Sequence, residues 1–356
     1  QALVDKVATV TAIEEEVALQ CADATAPYYI YCNAPGANNG SENSGDRGGV
    51  ACLIDKKNDS ENSFRKPCGG LLAPEGQKAL SKLGMNLPKS VLVDPQIFSV
   101  KTIDLDNDIT KHYQRMYINC DRHKFDRWLF SSVGENVDKK EGTVTKIEET
   151  EKGYTLTYSK DGNEETITAK YLVGADGAKS SVRKFLNPKF KCRKYISIQQ
   201  WFYDKNPKPF YSCIFDSKNT DCYSWSISKD GYFIFGGAYP IENGKEAFNN
   251  QKKKLTEKGF VFGEPVKTEG CLVLRPENSR QFFMGKGNAF LIGEAAGLIS
   301  PSSLEGISSA IISGMALAEA FSEGKNISGG IFSFKLRVKD TAPFGGTSVF
   351  GQGNAR

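Results

Sequence analysis

Short apolar runs that stop at glycine and an acidic residue recur along the chain. Residues 49–55 read Gly-Val-Ala-Cys-Leu-Ile-Asp, and residues 172–178 and 291–297 follow the same plan. Continuous β-branched runs are typical of parallel strands that are buried on both faces. Each of the two later runs continues into small residues that can begin a helix. The pattern predicts a doubly wound sheet with its carboxylates gathered at one edge.

Helical and alternating patterns account for much of the remaining chain. We predict helices over residues 74–83, from residue 121 and over 305–321, and a first strand at residues 28–31. Alternation predicts strands at 97–103 and 114–118, then a meander over 143–169. Residues 195–274 are mostly β in pattern and rich in aromatic residues, with a hairpin turn at Lys229, Asp230 and Gly231.

These elements predict an α/β fold, α+β overall, in which nucleotide-binding pieces bracket a mostly antiparallel sheet. The predicted division gives residues 28–93, 111–185 and 280–325 to a Rossmann-like domain. Residues 94–110 and 190–279 form a substrate domain, and residues 326–356 form a tail to which the pattern assigns no structure.

The composition of the chain excludes several classes of function. The chain has 356 residues, 39% hydrophobic and 25% charged, with no apolar run long enough to span a membrane. A net charge of +4 argues against nucleic acid as a partner. Nine cysteines without a Cys-x-x-Cys pair, and two histidines, argue against a disulfide framework, a zinc site and triad hydrolysis. A cytoplasmic location is expected. The lysines at 252–254 predict a solvated helix face, with weak attraction to anionic lipid as the alternative.

A glycine fingerprint should precede the acidic residue that ends the strand at 49–55. Residues 32–37 take its place, 18 residues before Asp55, but the expected glycines are replaced. We expect Ala34, Pro35 and Ala37 to approach a pyrophosphate, and Asp55 to accept hydrogen bonds from ribose hydroxyls.

The later two runs resemble the second and third FAD-contacting motifs of a flavoprotein family that includes aromatic hydroxylases, halogenases and geranylgeranyl reductases. The resemblance implies that FAD is the cofactor and that the Rossmann-like domain binds it. Glu294 stands where relatives have aspartate. Arg122 matches an arginine that reaches the cofactor, although a surface salt bridge with Asp126 is the alternative. The other residues expected at FAD are Gly174, Asp176, Gly177, Gly293, Gly297, Gly306 and Ile307.

The segment Pro67-Cys68-Gly69-Gly70 resembles a motif of geranylgeranyl reductases, in which the cysteine lies near the flavin and the glycines let the backbone pass beside it. The resemblance implies that Cys68, Gly69 and Gly70 also contact FAD. Cys68 is therefore a candidate catalytic residue, and an inert buried thiol is the alternative. Residues 223–228 resemble the substrate-side signature of the same reductases. Tyr223, Trp225 and Trp201 are accordingly expected in a substrate pocket. For Tyr223 and Trp225 the alternative is that two aromatic side chains on one face of a strand fill the core.

The resemblance implies a reductase that transfers hydride from reduced FAD to C=C bonds of a prenyl lipid. NAD(P)H or a ferredoxin-like protein is the expected electron donor, and peripheral membrane contact is compatible with a lipid substrate. Two alternatives stay open at this point. One is an aromatic monooxygenase or halogenase, although the halogenase W-x-W-x-I-P motif is absent. The other is a non-catalytic binding protein with a flavin fold.

Overall fold

The computed structural model describes residues 51–57, 65–135 and 137–322, and residues 17–21 as backbone. The predictions for the strand at 28–31, for Ala34, Pro35 and Ala37, and for the tail at 326–356 lie outside the described residues. Within the described part, no helix is both long and apolar enough to cross a bilayer.

A six-stranded sheet forms the predicted nucleotide-binding part. Its strands stand in the order β16, β17, β10, β1, β2, β6, and all neighbours are parallel except β16 and β17. The strand bounds are β1 Val17–Cys21, β2 Ala51–Asp55, β6 Val137–Glu141, β10 Tyr171–Gly174, β16 Gly285–Lys286 and β17 Ala289–Leu291. The apolar runs made β2, β10 and β17 predictable. The first strand that the structure describes is Val17–Cys21, which no pattern predicted.

A second sheet has eight strands and contains most of the predicted substrate domain. Its order is β15, β11, β14, β13, β12, β4, β5, β3. The bounds are β3 Leu71–Leu72, β4 Ile97–Asp104, β5 Ile109–Asn119, β11 Arg193–Tyr203, β12 Phe210–Asp216, β13 Thr220–Lys229, β14 Tyr232–Pro240 and β15 Lys267–Arg275. The predicted domain boundary at residue 111 cuts through this sheet, because β5 pairs with β4 along its length.

The predicted meander forms a separate three-stranded sheet of β7 Thr143–Thr150, β8 Gly153–Lys160 and β9 Asn163–Ala169. Its buried residues join the same core as the six-stranded sheet. The described residues form the helices α1 Pro74–Lys82, α2 Arg122–Ser131, α3 Ser181–Leu186, α4 Gly244–Glu257 and α5 Ile307–Ser322. Asp121 caps α2 by accepting from the Lys124 backbone N–H, which explains why the helix begins there.

Helix α4 covers one face of the eight-stranded sheet. Its buried residues recur at helical spacing, and Phe248 stacks on Phe235 with ring centroids 5.1 Å apart. The lysine triplet of α4 is only partly the solvated face that we predicted. Lys252 lies over the ring of Phe202, and Lys254 pairs with the buried Asp216 at 2.6 Å.

Replacing Phe248 with alanine should lower the free energy of unfolding by about 3–5 kcal/mol, because the ring is fully buried between α4 and the sheet. Urea unfolding measures the loss. Val261, which is 87% exposed, provides the control, and V261A should change stability by less than about 0.5 kcal/mol. Equal effects of the two substitutions would contradict the packing described for α4.

Candidate functional site

The carboxyl ends of the parallel strands bring the three predicted acidic segments to one edge. In the pairing register Asp55 stands beside Cys21, and Gly174 stands beside Gln20 and Leu291. Asp176 and Glu294 follow the ends of their strands by two and three residues. Corners that are distant along the chain therefore meet at one edge, as the motifs predicted.

Asp176 fixes the start of α3. Its Oδ2 accepts from the Ser181 backbone N–H at 2.7 Å, the Ser181 hydroxyl at 3.0 Å and the Val182 N–H at 3.3 Å. Burial raises the pKa of Asp176, although the hydrogen bonds that the carboxylate accepts act to lower it. Its Oδ1 is buried and has no hydrogen-bond partner among the described residues. A buried carboxylate oxygen without a donor is costly, so this atom suits a ligand hydroxyl.

Glu294 is held by two partners. Its Oε2 lies 2.7 Å from Lys66 Nζ, and its Oε1 accepts from the Leu274 backbone N–H at 2.8 Å. Both charged side chains are at least nine-tenths buried. Burial opposes the charge of Lys66, but Glu294 outweighs it and raises the lysine pKa. Because a carboxylate can accept about four hydrogen bonds, Glu294 retains capacity for a ligand.

Arg183 joins the two corners that carry these acids. Its guanidinium donates to the carbonyls of Ala295 at 2.6 Å and Glu294 at 3.3 Å, and to those of Gly177 and Ala178. Burial lowers the pKa of Arg183. The planar, multiply donating guanidinium suits this bridge between carbonyls. We did not predict this role, although Arg183 lies at a recognisable place in the motif.

Asp55 lies beside a buried ionic cluster. Its Oδ1 accepts from the Lys57 backbone N–H at 3.0 Å, while Lys57 Nζ pairs with Asp126 at 2.8 Å. Arg122 pairs with the other oxygen of Asp126 at 2.9 Å. The predicted Arg122–Asp126 pair is therefore present but buried rather than on the surface. Burial opposes both charges, but the pairing outweighs it, so the pKa of Asp126 is lowered and that of Arg122 is raised.

A cavity of about 140 Å³ lies between the eight-stranded sheet and the segments that carry residues 66–70, 294 and 303–307. One water needs roughly 10–15 Å³ by the same measure, so the cavity can hold a much larger group. It brings together the following predicted residues: Cys68, Gly69, Gly70, Arg122, Tyr223, Trp225, Glu294, Gly306 and Ile307. Sequence reasoning missed other lining side chains, namely Lys66, Tyr117, Tyr211, Ile227 and Glu305. No alternation of apolar and polar residues along β5 or β12 singles out the two tyrosines.

The turn at residues 68–70 packs directly on the aromatic wall. A Cβ atom on Gly69 would lie 2.8 Å from the Ile227 side chain, and one on Gly70 would lie 2.3 Å from the Cys120 carbonyl. Gly70 has a left-handed φ of +64°, and its N–H donates to Cys68 Sγ at 3.4 Å. Arg122 also hydrogen-bonds to the Cys68 side chain. Only glycine fits this approach of backbone to the cavity wall.

Four other glycines predicted at FAD have structural roles within the protein. A Cβ on Gly174 would lie 2.7 Å from Val182, so this glycine lets α3 pack on β10. Gly293 donates its N–H to Ser313 Oγ at 2.9 Å, so this amide is already used within the protein. Gly177 and Gly297 form left-handed turns with φ of +72° and +84°. None of the four lines the cavity.

Trp201 does not line the cavity, which corrects our prediction for it. Its indole N–H donates to Glu269 at 2.8 Å, and its ring packs edge-on against Tyr232. The register through Ile234 places Trp201 on the same face as Ile227. The face was therefore predictable, but the position of the cavity along that face was not.

Burial shifts the pKa values of several titratable side chains in the cavity. Burial raises the pKa of Tyr117 to about 12 and those of Tyr211 and Tyr223 well above 10. Burial also raises the pKa of Glu305, against a hydrogen bond from Ser308. The tyrosines therefore stay neutral over the physiological range, whereas the Glu305 carboxyl moves toward neutrality.

Asp55 gives the folding stability a defined pH dependence. Burial raises its pKa from 3.8 to about 6, so the folded protein binds this proton more tightly than the unfolded chain does. The resulting stabilisation is fully present below about pH 3.8 and is lost as pH rises through about 6. D55N should flatten this slope and add up to about 3 kcal/mol at pH 7.

Urea unfolding between pH 4 and pH 8 tests the expectation. The control is D161N, in the exposed turn between β8 and β9, which should keep the wild-type slope. An unchanged slope in D55N would show that Asp55 is not the group responsible.

Comparison with known proteins identifies the chain at the family level. Residues 96–326 match the FAD binding domain family. Protein CbrA of Escherichia coli O157:H7 is 53% identical over 263 residues, which is 74% of this chain and 74% of that protein. Such relatives carry the name CbrA rather than that of a geranylgeranyl reductase.

Solved structures with low sequence identity share the fold. A geranylgeranyl bacteriochlorophyll reductase-like protein of Thermoplasma acidophilum superposes with a TM-score of 0.70 at 16% identity, covering 92% of this chain and 83% of that one. A variant of Klebsiella pneumoniae HpxO, complexed with FAD, gives a TM-score of 0.62 at 14% identity, covering 91% of this chain and 85% of that one.

The site itself fits a flavin nucleotide. The unpartnered Asp176 Oδ1 can accept from a sugar hydroxyl, and the cavity beside the glycine turn at residues 69–70 has space for a group much larger than a water molecule. Lys66 and Arg122 line this cavity, where they would stand beside a bound flavin, and each is held by a buried carboxylate. The chain belongs to the FAD binding domain family of oxidoreductases, and its cofactor is FAD.

Proposed function

We propose that the protein is an FAD-dependent reductase of C=C bonds in a prenyl-chain lipid. The observation that carries this proposal is the cavity, in which the Cys68–Gly70 turn faces a wall of aromatic and aliphatic side chains. Tyr211, Tyr223, Trp225 and Ile227 form that wall. An apolar wall of this kind binds hydrocarbon, and it stands beside the cysteine-glycine turn for which we predicted flavin contact.

The distribution of charge along the cavity supports the same function. Lys66, Arg122 and Glu294 lie toward the edge of the parallel sheet, where each has a buried ionic partner. The tyrosines and Trp225 lie on the eight-stranded sheet. A cofactor with a polar chain suits the charged side, and a substrate without polar groups along its length suits the aromatic side.

Carboxylates of the sheet edge are proposed to hold the nucleotide. Asp55 and Glu294 would accept from FAD hydroxyls in addition to their present partners, and Asp176 Oδ1 would gain the donor it lacks. FAD supplies hydride chemistry when bound. The Cys68–Gly70 turn and the beginning of α5 would flank its ring. NAD(P)H or a ferredoxin-like protein is the proposed electron source.

Anaerobic turnover tests the function. Protein loaded with FAD and reduced with dithionite should reduce a geranylgeranyl lipid without dioxygen, and each saturated bond should add two mass units to the product. Mass spectrometry of the lipid and an oxygen electrode measure the two quantities. Consumption of one dioxygen per hydroxylated or halogenated product would instead favour a monooxygenase or halogenase.

Asp176→Asn should weaken FAD binding about 10- to 100-fold, since hydrogen bonds to charged groups contribute about 1.5–3 kcal/mol. Asparagine keeps one oxygen to cap α3, so the thermal midpoint should change little. Fluorescence titration with FAD measures affinity, and D161N serves again as the exposed control. Wild-type affinity in D176N would exclude Asp176 from the cofactor site.

Gly236→Ala should raise the KM for the lipid several-fold and leave FAD affinity unchanged. A Cβ atom at this position would lie 2.7 Å from the Trp225 ring, so the ring must shift along the cavity wall. Steady-state kinetics measures the change. The matched control is G263A, because a Cβ at Gly263 meets nothing within 4 Å. Equal KM values for G236A and G263A would show that the Trp225 position does not matter for the substrate.

A further inference from the structure

We propose that the carboxyl group of Glu305 donates the proton that completes reduction of the substrate double bond. The proposal rests on the proposed function, because it assigns the second hydrogen of that reaction. Glu305 lines the same cavity as Cys68 and Trp225, and it stands two residues before the start of α5. Sequence motifs gave this side chain no role.

The position of Glu305 is fixed from several directions. Ser308 Oγ donates to Glu305 Oε1 at 2.6 Å, and the Ser300 N–H donates to the Glu305 carbonyl at 3.1 Å. The preceding residue, Leu304, has a left-handed φ of +50°. A non-glycine residue in this region is strained, and such strain is common where a side chain must be aimed at a site.

The charges around Glu305 favour its protonated form. Burial is the largest influence and raises its pKa, Glu75 on α1 adds to the effect, and Ser308 and Arg115 on β5 oppose it. Tyr117 on β5 and Tyr223 on β13 also face the carboxyl, and they are neutral. A general acid works best when its pKa lies near the operating pH.

Other cavity groups are poorer proton donors. The Lys66 ammonium is bound to Glu294, and the Arg122 guanidinium to Asp126. Burial places the pKa of Tyr117 at about 12 and that of Tyr223 higher than its usual 10. Cys68 is the remaining competitor, because its thiol also lines the cavity.

The proposed step balances in atoms and electrons. When bound and reduced, FAD would supply a hydride with its two electrons to one alkene carbon as the π bond breaks. The second carbon takes the Glu305 proton, so that a C–H bond forms and the carboxyl O–H bond breaks. The carboxylate that remains is reprotonated from solvent before the next turnover.

The test uses full-length protein loaded with FAD and reduced anaerobically with dithionite. Stopped-flow reoxidation by a geranylgeranyl lipid is followed from pH 5 to pH 9 in wild type, E305Q, C68S and the control E75Q. Glu75 is a carboxylate on α1 near Glu305, but it does not line the cavity. E305Q should slow reoxidation at least about 100-fold and remove the decline above the pKa of Glu305.

A second readout does not depend on activity. Carboxyl ¹³C NMR of the FAD-loaded, oxidised protein should show one glutamate that titrates above 4.5 and that disappears in E305Q but not in E75Q. FAD affinity and the thermal midpoint of E305Q should match wild type, which excludes a folding defect. If E305Q keeps the wild-type rate and pH profile while C68S loses them, Cys68 is the donor and the proposal is wrong.

Failure of the proposed function gives a different result. Wild-type protein that binds FAD, is reduced by dithionite and is not reoxidised by any prenyl alkene is not the proposed reductase. In that case Glu305 is not the proton donor of such a reaction either.

Discussion

The buried guanidinium of Arg183 is the interaction on which the site depends. It donates to backbone carbonyls of two corners that are more than 100 residues apart in the chain. Each corner carries one of the acids at the sheet edge. The guanidinium is desolvated and has carbonyls rather than a carboxylate as its described acceptors, so it contributes by satisfying those carbonyls and fixing their geometry. Without it the acids would still belong to the right strands, but the corners would be free to separate.

A second buried cation extends this constraint to the cavity. Lys66 stands two residues before Cys68, and its ion pair with Glu294 ties the cysteine-glycine turn to the third corner. A buried pair of this kind is weak as a source of stability, because desolvation offsets the Coulomb attraction. Here the ion pair fixes the position of the cysteine-glycine turn relative to the third corner. The polar side of the cavity is thereby built from elements that cannot move independently, and the aromatic side is built on the neighbouring rigid sheet.

Local patterns predicted the strands and helices that position the site. The β-branched runs predicted β2, β10 and β17, and parallel pairing then placed their acids at one edge. Burial of Arg122 and Asp126 could not be read from their spacing, because i, i+4 geometry is the same on a buried and an exposed helix face. The pairing of Lys66 with Glu294 spans 228 residues and leaves no local signal. For Trp201 the alternation gave the face of the sheet but not the position of the cavity along it.

A crystal structure of the protein with FAD and a saturated prenyl product would show directly whether this cavity holds both molecules. We expect the flavin ring between the Cys68–Gly70 turn and the beginning of α5, with the hydrocarbon along Tyr211, Tyr223 and Trp225. A flavin ring bound away from this turn, or a hydrocarbon chain bound outside the cavity, would contradict this expectation.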